Sequence, residues 1–245
     1  MGRSMLKDNR PPEYLDVYDE QGNRTGTALR SEVHARGLWH QTFHCWLVRR
    51  GEDGKAYAVF QRRSADKDTN PGCFDITVAG HLAAGESVRD AAREMEEEIG
   101  WSVPFEELVP FGIVKEESEG EVAGRPVVDR EISHVFGCVA DVPPAGFRLQ
   151  REEVAGVYEA EADLLIALMR GEVGAVGAQG AEPDEEGDAL RPASATVTAD
   201  SFVPRDRGYY IRVFRFLREL AFADRGGSEG RENSEGGEGS EGREA

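Results

Sequence analysis

The sequence predicts an α/β protein: a mixed β-sheet covered by helices on both faces, with a hairpin at its N-terminal end and a helix closing it. Three observations carry that reading. Short apolar, β-rich runs alternate with turn signals through the first half of the chain. An amphipathic helical pattern interrupts them at residues 88–99. Further strands and two more helical patterns follow, so helices are available to cover both faces of the sheet.

Taken in order, EYLDVYD and TALRSEVH flank the turn EQGN and predict a hairpin. FHCWLVR and AYAVFQRR are separated by GEDGK and predict a second one. FDITVAG is a strand running into the helical segment. In that segment Ser87 is placed to be an N-cap, with Asp90 three residues on as in a capping box, and Gly100 is placed to stop the helix. LVPFGIVKEE, REISHVFGCVAD and VAGVYEA read as strands. ADLLIALMRGE and YYIRVFRFLRELAF read as amphipathic helices, the first with Gly at its far end. Gly, Pro and acids in residues 171–194 predict a long surface loop or hairpin.

A chain of 245 residues can bury one substantial core, here expected over residues 13–223. Residues 1–12 are expected to be flexible. Residues 224–245 are Gly, Ser and Glu without an aliphatic side chain and are expected to be disordered, because they can bury too little to offset ordering entropy. The formal charge is −18, of which the tail supplies −4, leaving −14 on the rest. Such a surface repels nucleic acid and anionic membrane. No apolar run reaches the roughly 20 residues of a membrane span, and the N-terminus lacks the apolar centre of a signal peptide. Cys45, Cys73 and Cys138 form neither a metal-type pair nor an even disulfide set, which points to reduced thiols and a cytoplasmic location.

The chemistry concentrates in GHLAAGESVRDAAREMEEEIGW, residues 80–101. At 100° per residue Val88, Ala91, Ala92, Met95 and Ile99 form one apolar stripe, and Glu94, Glu97 and Glu98 fall on an adjacent arc about 100° wide. Like charges at these spacings cost about 0.2–0.5 kcal/mol per pair on an exposed helix, and more where they are desolvated. An ordinary run of glutamates is a solvated face. This one abuts the core stripe and follows a glycine-rich loop, and a divalent cation would turn the repulsion into binding; Mg²⁺ suits oxygen donors and keeps waters that phosphate oxygens can replace.

The stretch resembles the box of the Nudix hydrolases, with Gly80 and Glu86 at its start and Arg93, Glu94, Met95, Glu97, Glu98 and Gly100 at its end. Trp101 stands in place of the final aliphatic residue, and six residues rather than seven separate Glu86 from Arg93, a deletion at the loop-to-helix junction. The resemblance implies a Nudix-type α/β/α sandwich, metal binding by Glu94, Glu97 and Glu98, a brace from Glu86, and Arg93 orienting a glutamate. It implies Mg²⁺, or Mn²⁺, and hydrolysis of a small-molecule diphosphate linked to another moiety, such as a nucleoside diphosphate derivative. A homodimer is common for this fold.

A second resemblance, spanning about Ser31 to Phe136, is to the isopentenyl-diphosphate isomerase branch of the same superfamily, carried by SEVHARGLWHQTFHCWLV, QRRSADKDTNPGCFDITVAGH and VVDREISHVF. It implies His34, His40, His81, Asp129 and Glu131 as metal-site candidates. The isomerase proton-transfer cysteine falls at Ala79, which can neither donate nor accept a proton, so a hydrolase is preferred. The alternatives are an isomerase, or a non-catalytic ligand-binding module, against which the intact Glu94, Glu97 and Glu98 argue.

From the residues alone, His34 and His40 read more readily as surface or hydrogen-bonded histidines than as ligands. His81, beside the box, is as apt to shape the loop as to touch substrate or metal. His44 could take either face of its strand, and His134 reads as structural. Candidates for the general base are Glu97, Glu131 and the pair Glu152–Glu153, for which a solvated turn is the preferred reading. Arg62, Arg63 and Lys67 are the phosphate-binding candidates, with alternation placing Arg62 and Arg63 on opposite faces. Tyr209 and Tyr210 read as core contacts before stacking platforms.

Overall fold

A computed structural model describes residues 12–223 apart from 68, 123–124, 185 and 187–188. The expectations for residues 1–11 and for the acidic tail lie outside the described residues. The chain forms β1 (Tyr14–Tyr18), β2 (Arg24–Leu29), α1 (Arg30–Arg36), β3 (Trp39–Arg50), β4 (Ala56–Arg63), β5 (Phe74–Asp75) and β6 (Val78–His81). It continues through α2 (Val88–Ala91), α3 (Glu94–Ile99), β7 (Val109–Val122), β8 (Arg125–Val139), β9 (Val154–Glu161), α4 (Ala162–Met169), β10 (Val176–Pro183), β11 (Leu190–Val197) and α5 (Arg207–Phe222).

Strand β3 is the hub of one mixed sheet. It runs parallel to β8 and antiparallel to β1, β4 and β6, while β9, β10 and β11 extend the sheet beyond β4. Successive β3 side chains alternate between two cores, as strand geometry requires. Trp46 and Val48 pack with Phe60, Tyr158 and the apolar faces of α4 and α5. Phe43, Cys45 and Leu47 pack with Ala91, Met95 and Ile99 of the box helices. Helices therefore cover both faces, the sandwich that the sequence predicts. Among the described residues no helix is long and apolar enough to cross a membrane.

Four local differences have physical causes. The N-terminal hairpin closes at the expected turn, where the Asp19 carboxylate accepts from Gln21 N and Asn23 N, but its second arm stops at Leu29. The RSEVH segment is helical; Val33 docks on Leu15 and Val17, and Gly37 ends α1 at φ 61°. FDITVAG is two strands, because β5 pairs with β4 and β6 with β3. At the crossing the Thr77 hydroxyl donates to Val59 O and accepts from Leu47 N, so a side chain replaces a rung of the β3–β4 ladder. The helix over residues 88–99 starts at the Ser87–Asp90 capping box but tightens at Ala92–Arg93, where bonds three residues apart mark a short 3₁₀ stretch between α2 and α3. Residues 171–194 take the hairpin of the two expected forms: most of them belong to β10–β11, whose first strand pairs with β9.

Candidate functional site

The site is organised around β6. Val78 packs with the box-helix core, whereas Ala79 packs against the core beneath α4 and α5. Alternation sends Gly80 with Val78 and His81 with Ala79. The box and the histidines therefore occupy opposite sides of one strand.

On the box side, the missing side chain of Gly80 makes room for an acid. A Cβ there would lie 2.4 Å from Cδ of Glu94. At the other end Gly100 takes φ 61°, and a Cβ would meet the Arg148 backbone. Arg93 is the centre of this cluster. Its Nε and Nη2 donate to Glu86 at 2.9 and 3.2 Å, and its Nη1 donates to Glu97 at 3.1 Å and also to Glu94. Glu86 in turn accepts from Ala83 N at 2.7 Å, so the shortened loop still carries a brace between the glycine-rich turn and the helix. Glu98 points away from this knot. It is buried, and one carboxylate oxygen accepts from Ala79 N and from Nε2 of Gln61, each at 3.3 Å. Burial pushes the Glu98 carboxyl up to about 8, and burial likewise raises Glu94 against the pull of Arg93. Repulsion among the three acids is thus offset by a guanidinium for two of them and by proton uptake for the third. A divalent ion would draw on the same oxygens.

On the other side α1 brings His34, β3 brings His40 and His44, β6 brings His81, and β8 brings Asp129 and Glu131. The rings of His34, His40 and His81 lie 5.1–5.4 Å apart, and their nearest ligand nitrogens all fall within 4.8 Å of one another. The same holds for donor atoms of His40, Asp129 and Glu131, so His40 joins the two sets. Nδ1 of His40 donates to Leu38 O at 3.1 Å, which fixes the tautomer and leaves the Nε2 lone pair facing Asp129 Oδ1 at 3.6 Å. Nε2 of His40, Nε2 of His81 and Oδ1 of Asp129 are buried without a hydrogen bond. Burial holds His40 and His81 below the ordinary histidine range, so both stay neutral, as metal ligands must be. Burial, and then the Asp129 carboxylate, raise Glu131. Orphaned donor atoms, neutral imidazoles and two carboxylates fit a divalent ion with mixed nitrogen and oxygen ligands. Among the described residues these are the clusters with metal-ligand spacing; the box acids are spread between Arg93 and Ala79 N.

The phosphate-binding candidates separate. Arg62 points outward and pairs with Glu182 at 3.1 Å, away from both clusters. Arg63 points inward but is spent on Asp75 and on Thr69 O, where it shapes the loop ahead of Cys73. Lys67 is at the site, since its charge lowers both Glu98 and His81, and it pairs with Glu153. Glu153 is therefore not part of a purely solvated turn: its charge raises Glu98, while Glu152 is exposed. Tyr209 and Tyr210 are buried, the first accepting from Trp46 Nε1 and the second donating to Val203 O.

Sequence reasoning missed Gln61, Asp75, Glu116 and Arg205. Arg205 donates to Asp75 at 2.6 Å and to Glu116 at 3.1 Å, and its charge also acts on Glu131 and His44. A charged residue closing a strand, as Asp75 does, is a usable signal. Its partner 130 residues away left none.

A NUDIX domain model matches residues 38–174. An uncharacterised Nudix hydrolase from Clostridium acetobutylicum is 39% identical over 207 residues, covering 84% of this chain and 98% of that protein. Nudix hydrolase 3 of Arabidopsis thaliana is 34% identical over 59% of this chain and 19% of its own length. An isopentenyl-diphosphate Delta-isomerase from Kocuria rhizophila is 32% identical over 66% of this chain and 86% of its own. The chain belongs to the Nudix family and is an enzyme of the Nudix hydrolase type.

Proposed function

We propose that this enzyme hydrolyses the diphosphate linkage of a small organic diphosphate, with Mg²⁺ or Mn²⁺ as its ion and the cytoplasm as its setting. The observation that carries this reading is the box knot: Arg93 gathers Glu86, Glu94 and Glu97 beneath Gly80, and Glu98 lies buried at the backbone of Ala79. A bound divalent ion would neutralise phosphate charge and acidify a coordinated water. Glu94, Glu97 and Glu98 would supply oxygen ligands on one side of β6, and His34, His40, His81, Asp129 and Glu131 would supply mixed ligands on the other. Lys67 is placed to hold a phosphate oxygen. Glu97, half exposed and held by only one arm of Arg93, is placed to take a proton from water, and Glu131 and Glu153 are further carboxylates within the site.

The histidine cluster favours a second reading, isomerisation of a prenyl diphosphate, because it assembles the residues which that resemblance implies. Against it stands Ala79, a methyl group on the histidine side of β6. Two assays separate the readings: cleavage of a panel of diphosphates with Mg²⁺ or Mn²⁺, read as the phosphomonoesters formed, and deuterium uptake from D₂O into isopentenyl diphosphate. Cleavage without exchange supports the hydrolase; exchange without cleavage overturns it.

A further inference from the structure

We infer that His44 is a positioning residue that sets the orientation of Glu131 through a fixed imidazole N–H; the inference rests on the reading of the histidine cluster as a metal site. On β3 the residues His40, Thr42 and His44 share one face, and the parallel register with β8 places Glu131 beside His40, Ser133 beside Thr42 and Val135 beside His44. Glu131 is therefore flanked by two histidines, one belonging to the donor clusters and one behind them.

The tautomer of His44 follows from its neighbours. Thr42 Oγ1 is hydrogen-bonded to Ser133 Oγ at 2.9 Å and lies 3.3 Å from His44 Nε2. With that hydroxyl and a carboxylate both facing Nε2, the tautomer that carries the hydrogen there is the one that meets acceptors. The same Nε2 is 3.7 Å from Glu131 Oε2. Nδ1 is then the bare nitrogen, buried and without a hydrogen-bond partner, and the whole residue is only 2% exposed. Water cannot take over the Nε2 contact, and the ring has no second anchor that would turn it away from Glu131. A carboxylate oxygen of Glu131 lies meanwhile within 4.8 Å of the His40 and Asp129 donor atoms. The chain Ser133–Thr42–His44 thus keeps an imidazole edge 3.7 Å from one end of the carboxylate, beside the His40 and Asp129 donors. Partners of this kind, one step behind the ligands, fix ligand orientation and tune affinity.

The test is a titration of the purified full-length protein with Mn²⁺ alone, read by electron paramagnetic resonance, with nitrogen coupling in the spin-echo signal marking an imidazole-bound ion. His44→Phe fills the space without an N–H and is expected to weaken the nitrogen-coupled site about 10–100-fold, whereas His44→Gln, which restores a donor amide, stays within ~3-fold of the parent. Thr42→Val removes the acceptor that sets the tautomer and is expected to weaken the same site about tenfold, which keeps the test in force if the Phe variant does not fold. Unchanged affinity in a folded His44→Phe or in Thr42→Val overturns the role of His44 and leaves the metal site standing. A parent protein that shows no nitrogen-coupled Mn²⁺ overturns the metal reading, and the positioning role with it.

Discussion

The two sides of β6 bury charge in opposite ways. On the box side the polar groups satisfy each other: Arg93 binds three glutamates and Glu98 takes hydrogen bonds from Gln61 and from the strand backbone. On the histidine side the ring nitrogens and Asp129 crowd together and leave donor atoms unpaired. A side that is internally satisfied must be rearranged before it accepts a cation. A side with bare lone pairs is already arranged to receive one. The difference shows that Glu94, Glu97 and Glu98, the loudest feature of the sequence, are not the part of the fold most fully prepared for an ion.

The largest effect expected from breaking this comparison is on the box side. Glu97→Gln should lower turnover of any diphosphate substrate by roughly 10²–10⁴-fold while leaving nitrogen-coupled Mn²⁺ binding in place. Unchanged turnover would remove Glu97 from the chemistry. Next, Asp75→Asn should destabilise the fold by about 3–5 kcal/mol in urea unfolding, because the partly buried Arg205 and Arg63 lose the buried carboxylate they share. A loss below 1 kcal/mol would mean that Glu116 and Thr69 suffice for the two guanidiniums.

The buried carboxyls, Glu98 on one side and Glu131 on the other, and the buried imidazoles titrate in opposite senses. A buried glutamate whose carboxyl is raised holds its proton more tightly when folded, so stability falls as pH rises from its unfolded value, near 4.5, to about 8 for Glu98. Buried histidines held below 6.5 do the reverse, and stability is lost as pH falls below that value. Between pH 6.5 and 8 only the glutamates act. Urea midpoints of protein stripped with EDTA should therefore decline across that window, with a shallower slope in Glu98→Gln. A flat profile in the parent would argue that Glu98 is ionised when folded. The smallest effects distinguish the cations outside the knot. Lys67→Met should raise KM about tenfold, while the exposed Arg62→Ala should change KM little and stability by less than about 0.5 kcal/mol.

Much of this was legible in the sequence because it is local. The capping box at Ser87, the stop at Gly100, the buried stripe through Met95 and the three glutamates all follow from spacing along one helix. The RSEVH helix was not legible, because what holds it is the docking of Val33 on a strand before it in the chain. Nor was the division of the site into two sides. That depends on which way Ala79, Gly80 and His81 alternate, and the interruption at Thr77 sets their phase. Arg62 and Arg63 were correctly placed on opposite faces, but the inward one is consumed by Asp75, a contact that composition and periodicity do not announce.

Because Gly80 lets Glu94 press against the strand, one backbone thickness separates the acidic cluster from the imidazole cluster. A single ammonium, that of Lys67, is already felt in both, at Glu98 and at His81. If both clusters hold ions, a doubly charged guest at one is expected to weaken the welcome that the other gives to the next.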